Sequence, residues 1–147
     1  MVMTRRQLLR SIDAAQIEKS IEEAERLTSG EIRVSVAPLF WGSVEKAAQK
    51  AFVLLKMNQT AQRNGVLFFV VPSRRRFVVL GDKGIHEKVG QEFWESVVAG
   101  MGELFKKGDF TAGLVKGIGQ VGQQLGAHFP YDSTTDKDEL SNKVNFE

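Results

Sequence analysis

The sequence predicts an α/β fold in which helices cover a small mixed sheet. Three observations carry that reading. Two β-rich runs, Val66–Val71 and Phe77–Leu80, flank the short polar linker Pro72-Ser73-Arg74-Arg75-Arg76, as the arms of a hairpin do. An alternating stretch, Glu31–Ala37, lies one helix upstream, which makes a strand–helix–strand unit. Most other apolar residues recur at helical spacing. The Val66–Val71 run holds no polar residue, so it is expected in the middle of the sheet, buried on both faces.

Taken in order, residues 13–28 read as a helix. Asp13 is a good N-cap, with Gln16 three positions on. Ile17, Ile21, Ala24 and Leu27 form one apolar stripe, and Gly30 stands beyond its end. In Glu31–Ala37 the residues Ile32, Val34 and Val36 point one way, and Glu31, Arg33 and Ser35 the other. Pro38 ends that strand. The loop Leu39-Phe40-Trp41-Gly42 is apolar, and reads either as a plug against the next helix or as an exposed partner contact through Phe40 and Trp41. Ser43 caps a helix from Val44 to about Met57. The βαβ rule then sets Glu31–Ala37 parallel to Val66–Val71, and the hairpin sets Arg76–Leu80 antiparallel to it.

Beyond the hairpin, Ile85–Val89 reads as a short turn before a helix from about Gln91 to Lys106. Lys106-Lys107 suit the negative end of its dipole. Gly108 breaks it, and Asp109 caps a last helix, Phe110 to about His128. Five glycines flank the apolar stripe of that helix, each costing roughly 1 kcal/mol against Ala, which predicts close approach to neighbouring backbone. In the tail, Val144 and Phe146 are placed to dock as a short strand.

The bulk numbers exclude several classes of function. The 147 residues make one domain of ordinary composition, 42% hydrophobic and 26% charged. With no Cys there is no disulfide, thiolate zinc site or Cys nucleophile. Two His leave a His-rich catalytic metal site short of ligands. The net charge is only +2, but Arg5, Arg6 and Arg10 crowd the start, while residues 130–147 hold five acids against two lysines. The organisation expected is a flexible basic N-terminus over 1–11, a domain over 12–129, and an acidic polar tail over 130–147 that is partly docked. No window approaches the ~18 apolar residues of a membrane span, and the first residues lack the apolar core of a signal peptide. The expectation is a soluble, cytoplasmic chain.

Chain direction places the chemistry. Parallel strands start at one edge, and an antiparallel third strand ends where its partner begins. Glu31, Asn64-Gly65 and Gly81-Asp82-Lys83-Gly84 should therefore share an edge, with His86 and Glu87 next to it. Glu31, Asn64, Asp82 and Glu87 offer oxygen ligands, which suit a hard cation, Ca²⁺ or Mg²⁺. In the plainer reading Asp82 makes an Asx turn and Glu31 is solvated. The opposite edge carries Pro38–Trp41 and the arginine turn. That turn lacks interleaved aromatics, so no DNA or RNA partner is expected. A second acidic set, Asp132, Asp136, Asp138 and Glu139, lacks EF-hand spacing. There is no phosphate-binding glycine loop and no GxSxG nucleophile elbow.

Four blocks are familiar together: Thr28-Ser29-Gly30-Glu31-Ile32-Arg33-Val34, Arg63-Asn64-Gly65-Val66-Leu67, Gly81-Asp82-Lys83-Gly84-Ile85 and Gly108-Asp109-Phe110-Thr111-Ala112-Gly113-Leu114. They resemble the TPM-domain family, which includes a thylakoid-lumen phosphatase-like protein linked to photosystem II repair. The tail with Asp138-Glu139-Leu140 is similar to the family's short soluble bacterial branch. The resemblance implies a three-layer α/β/α sandwich with a groove at one sheet edge. It also implies calcium binding and a weak acid phosphatase activity, with Asn64-Gly65 and Glu87 at matching positions. Three functions follow as expectations. The first is a divalent-cation-binding or regulatory module at Glu31, Asn64, Asp82 and Glu87. The second is a protein-interaction module using Phe40 and Trp41 or the tail. The third is a metal-assisted phosphomonoesterase, with Arg33, Arg63 or Lys83 clamping the phosphate. The absence of an evident nucleophile or strong base puts the enzyme last.

Overall fold

The structure, a computed structural model, describes residues 4–131 and 141–147. Its centre is β2, Gly65–Val71, buried at every position. Strand β1, Glu31–Val36, lies parallel to it, in a register running from Glu31 opposite Gly65 to Val36 opposite Val70. Strand β3, Arg76–Gly81, is antiparallel, from Val66 opposite Gly81 to Val71 opposite Arg76. The link between β2 and β3 is a single 3₁₀ turn, Pro72–Arg74, closed by Arg75 at φ 49° with its N–H donating to Pro72 O at 2.9 Å. Pro72 supplies the fixed φ that starts such a turn. The expected tail strand is present as β4, Asn145–Phe146, parallel to β1, so the sheet order is β3-β2-β1-β4. The acidic set Asp132, Asp136, Asp138 and Glu139 lies outside the described residues.

Strand alternation divides the core in two. Ile32, Val34 and Val36 with Val66, Phe68 and Val70 face three helices: α2 (Ala14–Glu25), α4 (Lys83–Lys106) and α5 (Phe110–His128). Leu67, Phe69 and Val71 face α3 (Val44–Leu54), which buries Val44, Ala48 and Ala51 against them. Helices on both faces make the three-layer α/β/α sandwich that was expected. A fully buried Phe or Leu is worth roughly 1.5–3 kcal/mol, so Phe68 and Phe69, on opposite faces, anchor both layers.

Several element limits differ from expectation. Helix α2 is capped by Asp13, which accepts the Gln16 N–H at 3.1 Å, but it ends at Glu25. Leu27 therefore falls past the helix, off the stripe, and is 67% exposed. The N-terminal flank is not all irregular: Arg5–Ser11 forms α1, because Thr4 and Gln7 make a reciprocal capping box. Ile12, buried just after it, fixes that flank to the core. The stretch Ile85–Val89, expected as a turn, is already helical, since the Asp82 cap starts α4 at Lys83. Gly90, at φ 76° and ψ 172°, kinks the helix instead of starting it. The glycines of α5 receive side chains more than backbone. A Cβ on Gly113 would meet the Phe105 ring at 2.7 Å, and one on Gly122 would meet Ala24 Cβ at 2.8 Å. Among the described residues no helix is long and apolar enough to cross a membrane.

Candidate functional site

The register brings the expected residues to one edge. Glu31 N–H donates to Asn64 O at 3.4 Å, Asp82 N–H to Gly65 O at 2.9 Å, and Gly84 N–H to Arg63 O at 2.8 Å. Backbone hydrogen bonds thus tie the starts of β1 and β2 to the end of β3 and the first turn of α4. Two glycines allow this closeness. A Cβ on Gly65 would lie 2.7 Å from Met57 O, and one on Gly84 2.6 Å from Arg63 O and closer still to Gln62 O.

Asn64 is buried. Its N–H donates to Thr60 Oγ1 at 3.2 Å and its Nδ2 to Ser29 Oγ at 3.3 Å, and Gln62 Nε2 also donates to Ser29 Oγ, at 3.0 Å. Asn64 Oδ1 is buried with no hydrogen-bond partner among the described residues. Such an atom loses its water on folding and costs about 1–3 kcal/mol unless a donor or cation meets it. Glu31 is buried beside it, so the plainer of the two readings, in which it is solvated, does not hold. Gly65, directly opposite Glu31, leaves room that the Met57 carbonyl occupies.

Asp82 is committed differently. Its carboxylate accepts the Lys83 N–H at 2.8 Å as the cap of α4, and accepts from Arg63 Nε at 2.5 Å and Nη2 at 2.9 Å. Asp82 is nearly buried, while the Arg63 side chain is 39% exposed. Asp82 raises the pKa of Arg63, first through the hydrogen bond. Arg63 sits at φ 53°, a left-handed conformation uncommon for a residue with a side chain. Lys83, His86 and Glu87 are exposed. Arg33 lies on the α3-facing side of β1, half-buried, with its Nε buried and unpartnered among the described residues. Burial pulls its guanidinium below the ordinary value.

These facts divide the expected cation ligands. Both Asp82 oxygens already meet a guanidinium, and Glu87 stands in solvent. Among the described residues no group of three or more His, Cys, Asp or Glu is placed to hold a metal. Asp82 and Glu87 do not fit a metal centre in this arrangement. Glu31 and Asn64 are compatible with oxygen donation: both are buried at the same strand starts, and Asn64 Oδ1 has no hydrogen-bond partner among the described residues. Of the expected phosphate clamps, Arg63 is engaged, whereas Arg33 and Lys83 make no ion pair with a described residue.

The sequence reading missed Ser29 and Gln62, which orient the Asn64 amide. The small polar run Thr28-Ser29-Gly30 before β1 was the available signal. There Thr28 Oγ1 donates to Leu125 O at 3.0 Å and to Phe129 O, and accepts from Gly30 N at 3.0 Å. At the far edge the arginine turn is not free in solvent. Arg74 donates to Phe40 O at 3.1 Å and Gly42 O at 3.0 Å, Arg75 to Lys106 O at 2.8 Å, and Arg76 pairs with Glu45 at 2.7 Å. Phe40 is a half-buried plug against Phe69, and Trp41 is 88% exposed.

The fold agrees with known proteins. The chain matches the family model described as the TPM domain over residues 2–124. It is similar to the BA42 protein of the psychrophilic bacterium Bizionia argentinensis, known from an NMR structure. That match has 37% identity and a TM-score of 0.84, and covers 92% of this chain and 95% of that one. The N-terminal domain of cg2496 from Corynebacterium glutamicum shares the fold at 12% identity and a TM-score of 0.59, covering 88% of this chain and 75% of that one. No match was found among curated protein sequences. With a family model spanning most of its length and a solved relative matching nearly end to end, the chain belongs to the TPM-domain family.

Proposed function

We propose that the chain is a binding or regulatory module whose ligand sits at the Glu31/Asn64 edge, and that this ligand is a divalent cation, Ca²⁺ in preference to Mg²⁺. The observation that carries the reading is Asn64 Oδ1, buried and held in place by Ser29, without a hydrogen-bond partner among the described residues. A hard cation takes carboxylate and amide oxygens such as those of Glu31 and Asn64, and Ca²⁺ accepts irregular oxygen sets more readily than Mg²⁺ does. When bound, the cation would be held by the Glu31 carboxylate and the Asn64 amide oxygen. The chain's own residues orient the amide and exclude bulk water from it.

The phosphatase reading has less support. Arg63 is held by Asp82, and the Ser29 hydroxyl accepts two amide donors with no His beside it among its hydrogen-bond partners. Calorimetric titration with CaCl₂ tests the proposal. Binding is expected in the wild type, is lost in Asn64→Leu, and tightens in Asn64→Asp. Asp82→Asn is expected to leave it unchanged. No heat and no amide shifts at Glu31 or Asn64 would overturn the reading.

A further inference from the structure

Charge is unequally shared between two parts of the fold. From residue 31 to residue 81, which takes in β1, α3, β2 and β3, the chain has eight bases and two acids, Glu31 and Glu45, a net of +6. The rest of the chain has twelve bases and sixteen acids, a net of −4. Of the two acids, Glu31 is buried and Glu45 is paired with Arg76 at 2.7 Å.

On the basic side, the outer face of α3 is covered by nothing in the described structure. Lys46, Lys50 and Val53 stand at spacings of four and three, so they share a stripe along its exposed side. Val53 is 58% and Leu54 69% exposed. Beyond the other end of the helix stands Trp41, 88% exposed. Its exposure is built in. Arg74 holds the carbonyls on both sides of Trp41, those of Phe40 and Gly42, and lies over the Phe40 ring at 5.4 Å, so Phe40 points inward and Trp41 does not. The helix is about 16 Å long. Apolar groups therefore mark its two ends, with lysines between them.

We infer that the outer face of α3, with the Trp41 loop, is a peripheral docking face for an anionic lipid surface. The chemistry fits group by group. Indole prefers the headgroup boundary, Val53 and Leu54 reach the first acyl carbons, and the lysine stems lie along the surface with their ammonium groups at lipid phosphates. Helices α2, α4 and α5 lie on the opposite face of the sheet, away from this surface. A single-stranded nucleic acid would want a groove and a row of aromatic faces. The helix is convex, and its exposed apolar groups are one indole and two aliphatic chains. This inference is independent of the cation site.

The test is co-sedimentation of the full chain with vesicles of phosphatidylcholine alone and with about one-third phosphatidylglycerol. Binding is expected only to the anionic vesicles and falls as salt rises. The double variant K46Q/K50Q lowers the partition coefficient roughly thirtyfold. Trp41 emission shifts to the blue on binding, and Trp41→Phe loses that shift, since Trp94 is already buried. Far-ultraviolet circular dichroism of each variant confirms that it is folded. Three results would overturn the inference: no binding to anionic vesicles, binding that is indifferent to the two lysines, or tighter binding to single-stranded oligonucleotide than to lipid.

Discussion

Arg63 and Asp82 meet as a forked pair, Nε to Oδ2 at 2.5 Å and Nη2 to Oδ1 at 2.9 Å, where β2 begins and α4 begins. The chain is nineteen residues longer at Asp82 than at Arg63, and the antiparallel return of β3 brings the two together. The pair fixes a cation, the guanidinium, at the place where the pattern of acids alone suggested a metal. It also holds Arg63 in its left-handed conformation, because the Arg63 carbonyl is bound at the same time by Gly84 N–H.

The two partners are not of equal weight, and their variants should show it. Asp82→Ala removes both the α4 cap, worth about 1 kcal/mol, and the counter-charge of Arg63. A loss of about 2–3 kcal/mol is expected from the two together. Arg63→Gln leaves the cap in place, and the partly exposed position lets water replace the guanidinium, so a clearly smaller loss is expected. Urea unfolding of the two variants measures both. Equal losses would mean that the ion pair, not the cap, carries the stability.

Gly84 and Gly90 lie six residues apart in α4 and should respond for different reasons. A Cβ at Gly84 meets the backbone carbonyls of Gln62 and Arg63, which cannot rotate away as a side chain would. Gly84→Ala should cost about 1–3 kcal/mol by overpacking and also shift the Asn64 amide resonance. At Gly90 there is open space but φ is 76°, so Gly90→Ala should cost about 1–2 kcal/mol through backbone strain alone. Thermal unfolding gives the size of each loss. The Asn64 resonance separates the causes, since only the first variant should move it.

Strand alternation and chain direction made much of this legible in advance. The unbroken apolar run of Val66–Val71 identified the central strand, and the short crossover through α3 fixed its parallel partner. The edge that collects Glu31, Asn64 and Asp82 follows from those two facts. What pattern cannot show is which partner a polar side chain chooses. Asp82 reads equally well as a ligand, an Asx turn or a cap until Arg63, adjacent to Asn64, is seen to turn inward at positive φ. Glu31 sits at a strand start, where solvent is the usual neighbour, and its burial follows from tertiary packing that periodicity does not show. Trp41 and Phe40 are adjacent and alike in sequence. Arg74, thirty-four residues from Phe40, decides which of them is buried.

His86 and Trp94 form a second long-reach contact, across the kink at Gly90. Trp94 Nε1 donates to His86 Nδ1 at 3.0 Å. An indole can only donate, so Nδ1 is the acceptor. His86→Leu removes that acceptor and leaves the Trp94 N–H of a buried indole without its partner, which should cost about 1–3 kcal/mol and change Trp94 emission. Trp41→Phe leaves Trp94 as the only tryptophan for the measurement. His86→Gln keeps an acceptor and should retain most of the stability. Equal losses in the two variants would mean that ring packing, not the hydrogen bond, holds the contact.

Glu147 should make the docking of β4 depend on pH in the opposite sense to an ordinary salt-bridged carboxylate. Its N–H donates to Val36 O at 2.9 Å, while its side chain reaches Ser35, whose Oγ donates to Oε2 at 3.4 Å and accepts from Asn145 Nδ2 at 3.1 Å. Desolvation raises the Glu147 pKa, and the Ser35 hydrogen bond opposes that only in part. A raised carboxyl pKa means that the folded state favours the neutral acid. The docked strand is therefore favoured most below the unfolded glutamate range, and that advantage is lost as pH rises through the folded value. Above it the carboxylate is charged whether docked or free, and the dependence levels off. The protection factor of the Glu147 amide, corrected for intrinsic exchange, should accordingly be larger in mild acid than at neutral pH. Glu147→Gln should hold the high value at both. Ser35→Ala, which removes the hydroxyl that both neighbours use, should lower protection at either pH. A wild-type protection factor that rises with pH would show that Glu147 docks as a paired carboxylate instead.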